Sequence, residues 1–339
     1  MRAAVFNGQN QMAVADVPKP NPGPGEVILK VHDCGICGSD LHAVQYGLGM
    51  ATGTVMGHEF CGEIHQLGSG VKGFAIGERV TSLPFVSCGE CASCREGNGM
   101  RCAAIRSLGL GQLPGAYAEY VLCGAGSLLK LPDNVSSREG ATVEPLSVAL
   151  HGVNRAGFRK GAACVVMGAG PIGLSTLSWC KARGAEAVVV SELVPGRSEL
   201  ARKLGATAVV NPQQESPARK VMELTGRDPE IVFECVGVKS MLDAAIGMVA
   251  PRGQVIVLGV CMEPDQIMPL QCILKEVSLE FVLGYNHAEF AETIAALSSG
   301  RIDVKPMITD VIGVEAVPEM FQTLRNPTSQ AKVIVEFPH

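Results

Sequence analysis

Two rhythms of apolar and polar positions succeed one another along the 339-residue chain. The first half alternates short apolar runs, at 1–6, 26–32 and 78–83, with proline- and glycine-rich stretches such as PKPNPGPGE. Short strands punctuated by turns predict an antiparallel barrel or sandwich. From about residue 160 the repeating unit becomes an apolar run followed by a helical period. Runs at 163–167, 187–191, 207–210, 231–235, 254–259 and 279–283 predict strands. The helical patterns 171–183 and 196–204 each stop at a glycine, Gly184 and Gly205, suited to the left-handed position that follows a helix. Six strands with crossover helices imply an α/β fold with a doubly wound parallel sheet. A last helix at 288–299 and a terminal strand at 331–337 are expected to return to the β-rich first part.

One stretch imitates a membrane span. Residues 161–180 carry no charge, but four glycines and a proline near the middle fit strand, turn and helix instead. The chain is 47% apolar and 18% charged, enough to bury substantial cores, and its length suggests two domains. With 28 Lys and Arg against 33 acids, the net charge of −5 offers no broad basic face, so no nucleic-acid partner is expected. The N-terminus, MRAAVFNGQNQMAV, has no apolar leader pattern, which predicts a cytoplasmic protein. Thirteen cysteines, an odd number in a large chain, point to reduced thiols or metal ligands rather than disulfide staples.

The apolar run 163–167 leads into Gly168-Ala169-Gly170-Pro171-Ile172-Gly173 and a helix. Gly168 suits the tight turn, Gly170 the approach of a pyrophosphate and Gly173 close packing of helix on strand. Pro171 and Ile172 belong to the same turn. Glu192, 22 residues after Gly170, stands where an acid accepts hydrogen bonds from the adenosine ribose and repels a 2′-phosphate, favouring NAD over NADP. Arg197 is placed to stack on adenine or to weaken that preference. Val236, Leu258, Gly259, Val260 and Leu283, near the ends of the later strands, complete the expected cofactor contacts.

Cys88, Cys91, Cys94 and Cys102 form C-x2-C-x2-C-x7-C. Four thiols so close suit a closed tetrahedral zinc site. An iron–sulfur cluster is the metal alternative, and zinc suits a chain without other redox signatures better. A second constellation is spread out: Cys37 in CGICGSDLH, then Gly57-His58-Glu59, then Glu144-Pro145. Thiol, imidazole and carboxylate together can hold zinc with one position open. Each also has a plain structural reading: a buried thiol, a packed histidine, an acid preceding a proline at a helix start.

The run CGICGSDLH, the GHE at 57–59, the four-cysteine lobe, EPLSVALHG and GAGPIG, in this order, resemble the zinc-dependent medium-chain alcohol and polyol dehydrogenases. The resemblance spans essentially the whole chain. It implies a GroES-like catalytic domain (1–150, with a structural zinc lobe at 88–102), a Rossmann NAD-binding domain (151–285) and a C-terminal return to the catalytic domain (286–339). It also implies two zincs per chain, a catalytic one at Cys37 and His58 with Glu59, Glu144 or water completing the shell, and a structural one at Cys88, Cys91, Cys94 and Cys102. An alcohol at the open position is then polarised toward its alkoxide and gives a hydride to the nicotinamide. By the same resemblance, Ser39 takes the proton and passes it through the cofactor ribose to His42.

Sorbitol-type relatives carry an arginine near the sixth Rossmann strand. Here the segment 281–285 has none, which weakens the sugar-alcohol reading. The following residues look closer to butanediol-type and other secondary-alcohol dehydrogenases, and the threonine dehydrogenase branch stays open. Tyr46, Leu48 and Met50 are expected to line a moderately apolar pocket. The resemblance further implies a small-molecule alcohol or ketone substrate and a homodimer or homotetramer. The readings from other classes are a zinc-free quinone or enoyl reductase, against which Cys37 and His58 speak, and a non-catalytic zinc- and nucleotide-binding protein.

Overall fold

A computed structural model describes residues 1–326 and 329–338. Among these residues the strands fall into two large sheets and two small two-stranded pairs. The first large sheet is built around the ten-residue strand Glu26–Gly35, whose side chains are buried except for two partly exposed ones. It pairs antiparallel with Glu59–Leu67 and Tyr120–Gly124, and at its far end with the last strand, Lys332–Glu336. The C-terminal strand therefore does return to the first half, with Ile334 opposite Gly35. One feature departs from the antiparallel expectation. Ile308–Gly313 lies parallel to Lys332–Glu336, reached by a crossover through the helix Val317–Thr323.

The second large sheet is wholly parallel, in the order Ala208–Val210, Ala187–Ser191, Ala163–Met167, Ile231–Glu234, Gln254–Val257, Ser278–Phe281. Strands buried on both faces read as unbroken apolar runs, and ACVVM and AVVVS are fully buried. The strand order reverses between Ala163–Met167 and Ile231–Glu234, and the crevice beyond their carboxyl ends is where ligands of such sheets bind. The predicted strands stand within a few residues, although Gln254–Val257 and Ser278–Phe281 stop two residues early. Gly184 (φ +79°) and Gly205 (φ +87°) follow the helices Pro171–Ala182 and Pro195–Lys203 as anticipated.

The helix Val143–Arg155 joins the two halves. Its apolar face belongs to one continuous core reaching from Cys61, Leu83 and Phe85 to Val166, Val190 and Phe233. The chain's one tryptophan, Trp179, is buried there and donates from Nε1 to Leu146 O at 2.9 Å. This packing fixes the first turn of the helix, which carries Glu144, at the junction. No helix of the described residues is long and apolar enough to cross a membrane.

Candidate active site and zinc lobe

Strand register assembles the first constellation. Gly35 pairs with Glu59, so the residues just beyond the first strand and just before the second meet at one end of the sheet. Cys37 caps the start of the helix Gly38–Tyr46, and His58 directly precedes Glu59–Leu67. Ligand atoms of Cys37, His58 and Glu59 all lie within 4.8 Å of one another. Glu144 stands outside that trio, its Oε1 accepting the Tyr285 hydroxyl at 2.9 Å with both side chains buried. Geometry thus prefers Glu59 over Glu144 as the carboxylate of the group.

The surroundings of the trio answer its charge. Asp40, fully buried, accepts the Cys37 N–H on Oδ2 at 3.1 Å and places Oδ1 3.2 Å from His58 Nδ1. Glu59 Oε2 accepts from Lys332 Nζ at 2.5 Å, while Oε1 is buried with no hydrogen-bond partner among the described residues. A Cβ on Gly35 would collide with Glu59 Oε2, so glycine is needed for the carboxylate to fold back over the strand. Burial opposes a charge on His58, but Asp40 and Cys37 outweigh it and hold the imidazole well above its usual range. Burial likewise pushes the Glu144 carboxyl up to about 7, with Glu59 adding and His58, Tyr285 and Lys332 opposing. Thiol and carboxylates crowded in a dry site call for a cation, and the unpaired Glu59 oxygen is free to meet one. The donor set fits zinc.

Ser39 Oγ lies 3.2 Å from Cys37 Sγ and 3.4 Å from His58 Nε2, so the hydroxyl borders two of the three ligand atoms. His42, one turn further along the same helix, is half-buried with Nδ1 unpaired among the described residues, and burial lowers its pKa. Tyr46 and Leu48 are exposed, whereas Met50 packs partly against the core.

In the lobe, the sulfur of Cys88 lies 3.5 Å from that of Cys102 and 3.9 Å from that of Cys94, and Cys91 lies 3.5 Å from Cys94. Four sulfurs at about 2.3 Å from a tetrahedral zinc stand roughly 3.8 Å apart. Amide N–H groups of Glu90 and Cys91, with the Cys102 thiol, pull the Cys88 thiol down to about 6, toward the thiolate that binds metal.

Two family descriptions match the chain: "Alcohol dehydrogenase GroES-like domain" over residues 23–133 and "Zinc-binding dehydrogenase" over 171–299. The chain is 34% identical to the sorbitol dehydrogenase of Homo sapiens, over 95% of this chain and 92% of that protein. It belongs to the zinc-dependent medium-chain alcohol and polyol dehydrogenases. The 2R,3R-butanediol dehydrogenase of Bacillus subtilis superposes with a TM-score of 0.90 at 31% identity, covering 99% of each chain. An NADP-bound zinc-binding dehydrogenase of Sinorhizobium meliloti 1021 superposes with a TM-score of 0.89 at 30% identity, again covering 99% of each. The protein is therefore a zinc-dependent oxidoreductase of small-molecule alcohols or polyols working with a nicotinamide cofactor. Its first sheet is the GroES-like part and its parallel sheet the Rossmann part.

The turn at the carboxyl end of the strand Ala163–Met167 has the geometry the glycine pattern predicts. Gly168 adopts φ +86°, a Cβ on Gly170 would meet nothing within 4 Å, and a Cβ on Gly173 would overlap the Gly168 carbonyl. Pro171 opens the helix and Ile172 packs partly against the core. Glu192 accepts N–H bonds from Ala169 at 2.7 Å and from Leu193 and Val194 at 2.8 Å. Val236, Val260 and Leu283 are 43%, 53% and 72% exposed at the strand ends. Leu258 departs from expectation: at 7% exposure it packs on Gly152 of the long helix rather than facing the crevice. Arg197 Nε donates to Gln330 O at 2.8 Å, which ties the side chain to the C-terminal segment.

Sequence reasoning missed five residues. Asp40 stood inside a quoted motif, but nothing local marked it as a partner of His58. Tyr117, Lys332 and Tyr285 reach the site from distant strands and loops. Glu234 accepts the Val236 and Gly237 N–H groups at 2.7 and 2.9 Å and so shapes the crevice wall where Gly259 packs.

Proposed function

We propose that the protein oxidises a secondary alcohol, a vicinal diol or a similar compound, to the ketone with NAD, and reduces the ketone in reverse. The observation that carries this reading is the trio Cys37, His58 and Glu59 with the Ser39 hydroxyl on its border. When bound there, zinc supplies Lewis acidity to the alcohol oxygen, and the nicotinamide supplies a hydride acceptor. The chain's own residues do the rest. Cys37, His58 and Glu59 would hold the catalytic zinc, and Cys88, Cys91, Cys94 and Cys102 the structural one. Ser39 would accept the substrate proton at its hydroxyl, and His42, its pKa lowered by burial, would be the final acceptor of that proton. Glu144, held by Tyr285, faces the site as a second carboxylate.

Gly284 bears on the substrate. It adopts φ +66°, and a Cβ there would lie 2.8 Å from Met100. The segment 281–285 carries glycine here and no arginine, which supports a diol or simple secondary alcohol over a long polyol. A polyol is the second reading, favoured by the sorbitol dehydrogenases among the relatives. NAD is favoured over NADP because Glu192 stands at the second strand end and Arg197 is committed to Gln330. The proposed division is 1–150 catalytic, 151–285 cofactor-binding and 286–339 returning to the first, supported by the pairing of the strand Lys332–Glu336 with Glu26–Gly35. A cytoplasmic homodimer or homotetramer is proposed, supported by exposed Leu270, Ile273, Leu274 and Phe281 around the free edge strand Ser278–Phe281.

The test is NAD reduction across vicinal diols, linear and cyclic secondary alcohols, polyols and threonine. The highest kcat/KM on a diol or secondary alcohol is expected. The highest value on threonine or a long polyol would replace the substrate reading.

A further inference from the structure

We propose that Tyr117 is a positioning residue for the catalytic metal ligands, acting through Asp40; this rests on the reading of Cys37, His58 and Glu59 as a zinc site. The hydroxyl of Tyr117 donates to Asp40 Oδ2 at 2.6 Å, in a place where both side chains are fully buried. The same oxygen accepts the Cys37 N–H at 3.1 Å, and the other oxygen stands 3.2 Å from His58 Nδ1. One carboxylate thus touches two ligand residues from behind.

A carboxylate in a dry site is aimed by its donors. Two donors on Oδ2 fix the plane of the group and leave Oδ1 turned to the imidazole. Asp40 Oδ1 then stands 3.2 Å behind Nδ1, and the opposite ring nitrogen, Nε2, is the one 3.4 Å from Ser39 Oγ and the one a metal would take. Without the phenol, the backbone N–H of Cys37 alone holds Oδ2. The Tyr117 hydroxyl also lies 3.2 Å from Gly35 O, but it has one proton, and the nearer, charged acceptor takes it.

The ring is interlocked with the turn that delivers His58. Gly57 adopts φ +95°, and a Cβ on it would stand 2.6 Å from the Tyr117 ring. The Tyr117 N–H donates to Met56 O at 2.8 Å and the Ala116 N–H to Gly57 O at 2.9 Å. Backbone, ring and hydroxyl therefore converge on the residue before a ligand, on the ligand's orienting acid, and through that acid on a second ligand. Filling the core explains the ring; it does not explain a hydroxyl placed 2.6 Å from a carboxylate.

Tyr117→Phe keeps the ring and deletes only the hydroxyl. Chelator competition on the holoenzyme should show the catalytic zinc lost about tenfold more readily, while the lobe zinc is retained and NADH binding is unchanged, the usual scale for a partner behind a ligand being 10–100-fold. The Co(II)-substituted variant should show a shifted d–d absorption band. Asp40→Asn should have the larger effect, and Tyr117→Phe added to Asp40→Asn should cost nothing more, because the phenol acts through the acid. Wild-type zinc retention and an unshifted cobalt band in Tyr117→Phe, or effects that add in the double variant, overturn the proposal. A wild-type protein holding a single zinc overturns the metal-site reading itself, and this inference with it.

Discussion

Lys332 Nζ and Glu59 Oε2 meet at 2.5 Å across 273 residues of sequence, with both side chains sealed from solvent. Lys332 also donates to Ile36 O at 3.0 Å, one residue before Cys37. The pair joins the last strand to the second ligand strand and leaves Glu59 with one committed oxygen and one unpaired. Burial works against the Lys332 charge, but Glu59, Cys37 and Glu144 together hold its pKa above the ordinary lysine value.

Removing one partner of a buried pair strands the other charge. Lys332→Met is expected to destabilise the protein by about 3–5 kcal/mol. The shift of the guanidinium chloride midpoint measures it. Glu59→Gln in the Lys332→Met background should recover part of the loss, since the stranded carboxylate is then gone. A midpoint unmoved by Lys332→Met contradicts this account of the pair.

The glycine turn makes opposite predictions at neighbouring positions. Gly173→Ala drives a methyl into the Gly168 carbonyl and should lower stability by roughly 2 kcal/mol or more, the scale of overpacking in a tight core. Gly170→Ala meets no protein atom within 4 Å and should leave the melting temperature nearly unchanged. It should instead weaken NADH binding on the order of tenfold, because the methyl occupies the path of the pyrophosphate. Fluorescence titration of NADH beside a thermal melt separates the two. Equal effects on both readouts would undo the assignment of the glycines.

His42 sets a pH dependence. Burial lowers its pKa below the ordinary value of about 6.5, so at neutral pH it is uncharged and ready to accept a proton. Alcohol oxidation through the relay should hold above about pH 6.5 and fall as pH drops through the depressed pKa. The stability contribution has the same sign, since protonation favours the unfolded chain. His42→Gln should lower kcat/KM on the order of tenfold at neutral pH and flatten the acid limb. A wild-type acid limb retained in the variant would remove His42 from the relay.

The lobe should lose its metal independently of the site. Cys94→Ser is expected to drop zinc content from two equivalents to one and to make residues near 88–102 sensitive to proteolysis. Metal analysis and limited proteolysis check it. Retention of both zincs by the variant would contradict tetrahedral coordination by all four sulfurs.

What the sequence made legible was local. The sulfurs of C-x2-C-x2-C-x7-C are close in sequence and meet in the structure, and a glycine turn between strand and helix carries its geometry within a few residues. Gly168 and Gly173 behave as the pattern requires for that reason. The site's support is not local. Tyr117 lies 77 residues from Asp40, and Tyr285 lies 141 from Glu144. Only strand pairing and the packing of the helix Val143–Arg155 bring these groups together. The choice between Glu59 and Glu144 also needed distances, because adjacency to His58 alone does not say which way a carboxylate turns. Arg197 looked free in sequence because the acceptor it uses, Gln330 O, belongs to a segment 133 residues away. The parallel partner of the last strand escaped notice because a short alternating run such as 308–313 reads alike in either direction.

The most direct test of the proposed site is zinc content measured together with alcohol-dependent NADH formation in the wild-type protein and in Cys37→Ser. The account predicts two zincs and turnover in the wild type. In the variant it predicts one zinc, held by the lobe, near-normal NADH binding and no turnover. Undiminished turnover in Cys37→Ser, or two zincs retained there, would contradict it.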